Sequence, residues 1–452
     1  MLHREERVFD SLIDHYVIAC IVLALFVLSL IGVGNLPVAC LAGLLLCLAG
    51  LTQRRARVDL WVFVPLLVYV LMCFASAAAA GEDISAGYGP FHALFPTVYL
   101  LTCCLEEGDR RRLKLCCALW TAAAGGAGIA AFVFRAVTRG SVGRMGGILG
   151  NPNAMGIFLV MGWFLVLCCT EEDKSLSPLE PLVLMGAAMT LSMGSFVAMA
   201  VGVLVLLTEK KRRAGWGDTL AYACRVLAKA SLGMGTGLLI YLAGARTGAP
   251  WLTLPLAAYG VALMALWRQF EEFLEAKPTL AALLTAGGVL VAAAAIAVRP
   301  SALDTFAERL EMMGSGLHYL TQSPLLGVGP FQWRLLDLHD GGTYFNTWHI
   351  HNAVLHVGVE MGWIAMAALV IIALRVLARP ASPGGRALAA AYLAHNMLDT
   401  SFFYLGVTAL ALTAAGGLEQ EGQELDGKWI RLLFACLAAL FLYGLYRWIT
   451  RA

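Results

Sequence analysis

Apolar runs separated by short polar stretches follow one another along the whole chain. Wound as an α-helix, a run of roughly 20 residues crosses the roughly 30 Å hydrocarbon core of a bilayer. Such runs lie near residues 14–33, 36–52, 59–79, 90–105, 115–134, 153–170, 181–208, 227–245, 250–267, 279–298, 353–377, 386–417 and 429–447. The pattern predicts an all-α, polytopic integral membrane protein with about 13 to 15 transmembrane helices.

Two of these runs leave the number of spans open. The run 181–208 has charged residues at both ends, and we interpret it as a tight hairpin that turns at LSMGS. The run 386–417 is either one long helix or a hairpin that turns near LDTSFF. The side of the membrane on which the chain ends therefore stays open. Because we find no stretch with the character of a soluble domain, we predict a single membrane domain over residues 1–452.

The composition agrees with a lipid environment. Hydrophobic residues make up 60% of the 452 residues and charged residues 14%, with a mean hydropathy of +0.76. Globular domains average about 45–50% apolar and about 25% charged residues. A net charge of +2 is too small to indicate a nucleic-acid partner. The twelve Cys lie within or beside apolar runs and form no CxxC pair, which is typical of small packing residues.

Basic clusters predict the orientation of the chain. They lie near residues 3–7, 53–57, 109–114, 209–213 and 374–380. Because basic residues concentrate on the cytoplasmic ends of spans, these clusters are predicted to face the cytoplasm. Residues 135–152 and 299–350 then lie on the extracytoplasmic side, and 299–350 is the main extracytoplasmic loop. The predicted location is the cytoplasmic membrane, with several passes through it.

Arginine gathers in both predicted outward loops, where the positive-inside rule leaves few basic residues. The planar guanidinium binds phosphate in a bidentate fork and keeps its charge near apolar surroundings. We therefore expect Arg144 and Arg309 to contact an anionic ligand such as a lipid-linked pyrophosphate. Anchoring of span ends by snorkelling explains Arg135 and Arg299 equally well, and it competes for Arg334.

Turn signals and one amphipathic segment shape these loops. In GILGNPNAMG, Pro152 biases the preceding residue away from helix, and Asn153 is predicted to cap the next span. The segment 304–320, DTFAERLEMMGSGLHYL, is predicted to form a short amphipathic helix at the membrane surface. After it, Gly327 and Gly329 permit an unusual backbone in SPLLGVGPFQW.

Three histidines cluster in NTWHIHNAVLHVGVEMGW, residues 346–363, at the start of an apolar run. His349 and His351 stand two residues apart, so they share a face only if this segment is extended. A neutral imidazole at such a position can take a proton from an attacking hydroxyl at physiological pH. We predict that His351 does so, with His349 in the loop beside it, and that His356 makes an interhelical hydrogen bond.

A metal site and a purely structural histidine are the two competing interpretations. Asp337, His339 and Asp340 in DLHDGG are the nearest further ligand types. Because no HExxH or similar ligand spacing occurs, we predict no metal and no other cofactor.

The sequence around these histidines resembles the O-antigen ligase and O-antigen polymerase superfamily. Its signature is His followed by Asn, Ser or Gln, then nine residues, then Gly, and His351, Asn352 and Gly362 are similar to it. The usual Glu-x-Gly end of the signature has its counterpart in Glu360-Met361-Gly362.

Three further segments carry the same resemblance, which covers roughly residues 140–415. RMGGILGNPN, which begins at Arg144, resembles an Arg-x-x-Gly-x-x-Gly-Asn-Pro-Asn loop of the family. Arg309 followed by SPLLGVGPFQW is similar to another family segment, and so is AHNMLDTSFF at 394–403. The chain departs from the family at Ser192-Met193-Gly194, where members commonly have Ser-Arg-Gly.

The resemblance implies a GT-C-like membrane glycosyltransferase. Such an enzyme transfers a glycan from a polyprenyl diphosphate to an acceptor hydroxyl on the outer face of the membrane. Arg144 and Arg309 would hold the leaving pyrophosphate, His351 would take or orient the acceptor hydroxyl, and Asn352 would fix the imidazole or a sugar. The acceptor would be a glycan, a glycolipid or the cell wall. The remaining candidate substrate-binding residues are Asn153, Arg334, His349 and Asp399.

Three other functions remain open at the level of sequence. A polysaccharide polymerase uses the same parts as a ligase. A transporter for the same lipid-linked glycan also needs outward arginines, but it should carry ionisable residues deep within its spans. A non-catalytic scaffold for envelope assembly is favoured only by Met193.

Overall fold

A computed structural model describes residues 2–82, 85, 87–140, 142–297, 302–379, 382–416 and 422–450. Within these residues the chain is almost entirely helical. Its helices are α1 (Leu2–Ile31), α2 (Leu36–Leu51), α3 (Leu60–Ala80), α4 (Tyr88–His92), α5 (Leu94–Cys103), α6 (Glu107–Arg139), α7 (Pro152–Glu172), α8 (Leu179–Met189), α9 (Met193–Ala245), α10 (Thr253–Ala265), α11 (Trp267–Ala276), α12 (Pro278–Ala297), α13 (Ala302–Gln322), α14 (Trp333–His339), α15 (Ala353–Ala378), α16 (Pro383–Asn396), α17 (Leu405–Gly416) and α18 (Gly427–Ile449). Two short strands, β1 (Arg55–Val58) and β2 (Gln423–Asp426), pair antiparallel, with Arg55 opposite Asp426. Single 3-10 turns occupy Gly147–Leu149, Lys174–Leu176, Pro250–Leu252 and Ser401–Phe403.

Six of the described helices are long and apolar enough to cross a membrane: α3, α6, α7, α9, α15 and α18. A seventh span is possible in Pro250–Ala265 with Trp267–Ala276, which are bent by 64° at their break. The prediction of an all-α polytopic membrane protein is confirmed. Fewer of the described helices have this length and hydropathy than the predicted 13 to 15 spans, because several predicted spans are shorter or broken helices. Among them are the apolar part of α1 at His15–Ile31, α2 (Leu36–Leu51) and α17 (Leu405–Gly416).

The helix breaks fall where polar residues interrupt the apolar runs. The run 181–208 breaks between α8 and α9, at the predicted LSMGS turn, and Leu191 there has φ 45°. The run 386–417 is not one long helix, since α16 and α17 are separated at LDTSFF. Within α9, Gly215 has φ 81° and ψ −178°, so two helices meet there beside the basic cluster 209–213.

The segment 299–350 is mostly helical rather than a simple loop. It contains α13, which covers the predicted amphipathic helix at 304–320, and α14. Arg299 lies outside the described residues, so its role stays a prediction. The side of the membrane on which this segment lies also stays a prediction.

The chain divides into two compact units. The first consists of Met1–Lys114, Phe306–Ala381 and Asn396–Ala452. In it α15 packs on α3, α18 on α2, and α17 on both α1 and α5. Small residues allow close approach of these helices. A side chain at Gly43 of α2 would overlap the ring of Phe441 of α18, so Gly43 makes room for that ring.

The second unit consists of Leu115–Thr305 and Ser382–His395. A buried ionic cluster joins its helices. Glu180 of α8 accepts from Lys229 Nζ of α9 at 2.8 Å and from the indole N–H groups of Trp163 and Trp267 at 3.0 and 3.1 Å. Lys229 also binds Glu271 of α11 at 2.9 Å. A charge this deep is tolerable only when it is paired and hydrogen-bonded, and here both conditions are met.

Candidate functional site

The three histidines of residues 346–363 lie at the N-terminus of α15 or just before it. Residues 343–352 are not helical, and α15 begins at Ala353. Asn352 is the N-cap: its Oδ1 accepts the N–H of Leu355 at 3.0 Å. This bond satisfies one of the free N–H groups of the first turn. The Asn352 side chain is therefore occupied by the cap, and its contact with substrate stays a prediction.

His351, Arg309 and Asp399 come together in the first unit, although they are far apart in sequence. Arg309 Nη2 donates to Asp399 Oδ2 at 2.8 Å, and His351 Nδ1 lies 3.7 Å from the same oxygen. Side-chain exposure is 11% for Arg309, 4% for Asp399 and 18% for His351. We call these three residues the histidine site.

Asp399 faces Nδ1 of the His351 ring across 3.7 Å, a distance too long for a hydrogen bond, and Nδ1 has no hydrogen-bond partner among the described residues. An imidazole nitrogen without a proton can accept one from a hydroxyl, which is the chemistry of a general base.

Arg309 has capacity for a further anionic partner. A guanidinium has five N–H donors, and Asp399 takes one of them. The Nε–H of Arg309 is buried and has no hydrogen-bond partner among the described residues. A buried donor left unpaired costs about 1–3 kcal/mol, so an oxygen acceptor that reached this nitrogen would relieve that cost.

His356 is buried, and its polar contacts are to its own helix and to the segment just before it. Its Nδ1 accepts the N–H of Ile350 at 3.3 Å, so the ring proton lies on Nε2, 3.2 Å from Glu360 Oε2. The predicted interhelical hydrogen bond of His356 is therefore wrong. Residues four apart lie on one face of a helix, and Glu360 is the nearest acceptor on that face.

Glu360 fastens the segment 327–333 to α15. Its carboxylate accepts the backbone N–H of Phe331 at 2.9 Å and approaches the N of Trp333 at 3.4 Å. Phe331 has φ 63°, an uncommon conformation for a bulky residue. Such strain persists only where the surroundings hold it, and here the buried carboxylate does so.

The kink in α15 explains why glycine stands at position 362. Gly362 has φ 84°, and the helix ladder is interrupted there: Trp363 N donates to Pro324 O at 2.8 Å. The freed carbonyls of Val359 and Glu360 accept backbone N–H groups from the segment 327–333, at 2.9 and 3.0 Å. A side chain at Gly362 would overlap backbone of the segment before residue 327. Backbone hydrogen bonds alone therefore join α15 to residues 324–329 at this point.

His349 lies against aromatic rings beside the histidine site. It stacks on Phe403 with ring centroids 4.2 Å apart, and His356 lies 4.9 Å away. Burial lowers the pKa of His349 well below its ordinary value, and the neighbouring His356, His92 and His351 lower it further. His349 is therefore neutral at physiological pH.

Arg334 is held by aromatic faces. Its guanidinium carbon lies 4.9 Å from the ring centroid of Tyr344 and 4.8 Å from that of Trp348. Cation–π contacts of this kind fix an arginine without a carboxylate partner. The competing interpretations of Arg334, anchor or substrate ligand, both fit this geometry.

The second unit holds the other predicted arginine. Arg144 donates from Nε to Thr190 O and from Nη2 to Asn153 Oδ1, both at 2.7 Å. The prediction that Asn153 caps α7 is wrong. Asn151 is the N-cap, because Pro152 occupies the first helical position and the N–H groups of Asn153 and Ala154 point back to Asn151 Oδ1.

A cavity of about 420 Å³ lies beside Arg144 in the second unit. Arg135, Arg139 and Arg144 all line it, together with the backbone of the glycine-rich segment from Gly143 to Gly147. Three guanidinium groups with no acidic residue on the lining make this cavity attractive to anions. We call it the arginine pocket.

Met193 lies at the break between α8 and α9. Ser192 caps α9, with its Oγ accepting the N–H of Ser195 at 3.3 Å, and Met193 is the first residue of the helix. This position therefore carries an uncharged thioether.

The metal interpretation has no cluster to support it. Among the described residues, no three His, Cys, Asp or Glu side chains come together in a way that would hold a metal ion. Asp337 accepts from Ser315 at 2.5 Å and Asp340 from Tyr319 at 2.7 Å, so the two are held by different hydroxyls.

No family model matches the chain, and no curated protein matches it.

Proposed function

We propose that the protein is a membrane glycosyltransferase. It transfers a glycan from a polyprenyl diphosphate to an acceptor hydroxyl on the extracytoplasmic face of the cytoplasmic membrane, in the manner of an O-antigen ligase. The observation that carries this proposal is the histidine site, in which Asp399 contacts both His351 and Arg309. A base and an anion-binding group held by one carboxylate suit attack on a carbon that bears a diphosphate.

The chemistry requires one bond to form and one to break. The acceptor oxygen attacks the anomeric carbon of the glycan, and the bond from that carbon to the diphosphate oxygen breaks. The bonding pair leaves with the polyprenyl diphosphate. His351 Nε2 takes the proton of the acceptor hydroxyl. Because diphosphate is already a good leaving group, stabilising its added negative charge is sufficient, and no acid is needed.

Asp399 and Arg309 divide the supporting work. Asp399 orients the His351 ring and stabilises the imidazolium that forms when the proton is taken. Arg309 offers its unpaired Nε–H to the oxygen of the leaving diphosphate, where a charge-assisted bond is strongest. Nη2 of Arg309 thus binds Asp399, and Nε of Arg309 is left for the diphosphate.

The arginine pocket supports the same class of substrate. Its three guanidinium groups suit the phosphate oxygens of a lipid-linked glycan. The bonds of Arg144 to Thr190 and Asn153 fix its fork in one direction. We propose that Arg144 binds a phosphate oxygen, as the resemblance implies. Because Met193 carries no charge, we assign phosphate binding to the three arginines of the arginine pocket, Arg135, Arg139 and Arg144.

The proposal is tested by transfer assays with purified protein and a labelled polyprenyl diphosphate glycan. His351→Ala should reach normal abundance in the membrane and lose about 10²–10⁴-fold of its transfer rate, the usual contribution of a positioned base. His339→Ala is the matched control, because His339 is an exposed histidine that lies twelve residues before His351 in the sequence. Transfer at the wild-type rate by His351→Ala would remove the basis of the proposal.

The carrier-linked glycans of a deletion strain distinguish ligase from polymerase. A missing ligase leaves long glycan chains on the carrier, because assembly continues without transfer. A missing polymerase leaves single repeats. Mass spectrometry of the extracted lipids reads this difference, and an unchanged lipid profile would contradict both activities.

A further inference from the structure

Arg334 lies between two exposed aromatic rings of the first unit. Its guanidinium carbon is 4.9 Å from the ring centroid of Tyr344 and 4.8 Å from that of Trp348. The two rings come from the non-helical residues 343–352, and Arg334 comes from the first turn of α14. Tyr344 is 65% exposed and Trp348 is 37% exposed, so a ligand can reach both rings from outside. We call Arg334, Tyr344 and Trp348 the aromatic clamp.

The charge of Arg334 has no anionic partner in the described part of the chain. No hydrogen bond or ion pair joins its guanidinium to a described residue, and its Nε is buried without an acceptor there. The carboxylates at the end of α14 are bound elsewhere. Asp337 accepts from Ser315 at 2.5 Å, and Asp340 is bonded to Tyr319 at 2.7 Å. Because a guanidinium keeps its charge at physiological pH and has five N–H donors, an anion at the clamp would meet an uncompensated cation.

Exposed rings beside an unpaired cation suit a ligand that has both a C–H face and an anion. The face of an aromatic ring is negative and the C–H bonds on one face of a sugar ring are weakly positive, so the two stack. A carboxylate accepts two parallel N–H bonds from a guanidinium, because its planar shape matches the guanidinium fork. A sugar whose ring carries a carboxylate presents these two features side by side.

A row of ring contacts joins the clamp to the histidine site. Trp348 meets the ring of Phe331 edge-on with centroids 6.2 Å apart, and Phe331 meets His349 in the same way at 6.1 Å. His349 stands two residues before His351 in the chain. The clamp therefore borders the surface on which a glycan held at His351 would lie.

We propose that the aromatic clamp binds a sugar that carries a carboxylate, within a glycan on which the histidine site acts. The carboxylate accepts N–H groups of Arg334, and the sugar ring stacks on Tyr344 or Trp348. This inference rests on the proposed function, which brings a glycan to this surface. The acidic sugar belongs either to the transferred glycan or to the acceptor, and transfer kinetics distinguish the two.

The binding test compares two sugars that differ only at C6. Methyl glucuronide carries a carboxylate there, and methyl glucoside carries a hydroxymethyl group. Saturation-transfer difference NMR titrates each sugar against the full chain in a detergent without a sugar headgroup. We expect wild type to bind the glucuronide about tenfold more tightly, because a charge-assisted hydrogen bond takes the place of a neutral one. Equal affinities, or no transfer of saturation to either sugar, would overturn the proposal.

Two variants separate the charge from the stacking. Arg334→Gln should reduce the preference for the glucuronide to about one, whereas Arg55→Gln, at an exposed arginine of β1, should keep it at about tenfold. Tyr344→Ala should weaken the binding of both sugars about fivefold, and Tyr446→Ala, which removes a similarly exposed tyrosine, should weaken neither. A preference that survives in Arg334→Gln would refute the role of Arg334. Binding by Tyr344→Ala equal to that by Tyr446→Ala would refute the stacking.

Transfer kinetics show which substrate carries the acidic sugar. With donor and acceptor extracted from the deletion strain, Arg334→Gln should raise the KM for the acceptor about tenfold if the acceptor carries this sugar, and the KM for the donor if the donor does. Unchanged KM values for both would overturn the inference. Because the binding test needs no donor, the two proposals fail separately. A wild type that binds the glucuronide but transfers no glycan contradicts only the proposed function. A wild type that transfers glycan but binds the two sugars equally contradicts only this inference.

Discussion

Truncating either partner of the Arg309–Asp399 pair should destabilise the protein strongly. Both side chains are almost fully buried, at 11% and 4% exposure, and their contact distance is 2.8 Å. Arg309→Ala removes the cation that contacts the buried carboxylate of Asp399, and Asp399→Ala removes the anion that contacts the buried guanidinium of Arg309. Loss of one partner of a buried ion pair costs about 3–5 kcal/mol, most of it from the charge left behind.

The double variant measures the coupling free energy between Arg309 and Asp399. Arg309→Ala with Asp399→Ala leaves neither charge behind, so its loss should be smaller than the sum of the two single losses. We expect a coupling free energy of about 2–3 kcal/mol, at the upper end for residues in contact. Equilibrium unfolding of the four proteins in detergent micelles measures it, followed by the fluorescence of the tryptophans.

His351→Ala serves as the control for this cycle. It leaves the Arg309–Asp399 pair intact, so its unfolding free energy should stay close to that of the wild type while its transfer activity is lost. Additive losses in the two alanine variants, with a coupling below about 0.5 kcal/mol, would refute the reasoning. Asp399 would then not be the residue that holds the histidine site together.

Three further outcomes are expected. Gly362→Ala should destabilise the fold more than Gly341→Ala in thermal unfolding, because both have positive φ but only at Gly362 would the new side chain overlap backbone; equal losses would contradict the interlocked kink. The pKa of His349 is lower in the folded protein than in the unfolded chain, so neutral His349 stabilises the fold fully above about pH 6.5 and less as the pH drops below that value. The melting temperature of His349→Gln should therefore depend less steeply on pH between pH 7 and pH 5 than that of the wild type. An identical slope in the two proteins would refute this. In intact cells an impermeant thiol reagent should label His339→Cys and not Arg213→Cys in a background without other reactive cysteines, and the reverse result would overturn the predicted orientation.

The helices were predictable from the sequence because their signal is local. A run of apolar residues specifies a helix whatever it packs against, and the ends of α15 and α18 lie within two residues of the prediction. The break at LSMGS was also predictable, since polar and small residues interrupt an apolar run there. The number of spans was harder to predict from the sequence. A helix can break within an apolar run only where neighbouring groups form hydrogen bonds with the freed backbone, and the sequence does not show those neighbours.

The histidine site was only partly predictable. His351 and Arg309 were expected to act, the first as a base and the second on an anion, yet their common contact with Asp399 joins three separate parts of the chain. No local pattern contains that pairing. The part of Glu360 in holding segment 327–333 was missed as well. A carboxylate in the middle of an apolar run was the signal that could have found it, since such a group must have a partner.

The kink at Gly362 has a consequence for how the protein moves. The amides of Val328 and Gly329 are protected by carbonyls of α15, so their hydrogens exchange only when that helix itself opens. Segment 327–333 therefore belongs to the same cooperative unit of unfolding as a membrane span, and it cannot open and close as an independent flap over a substrate. The backbone of residues 343–349 makes no hydrogen bond to α15 among the described contacts, so its amides should exchange before those of Val328 and Gly329.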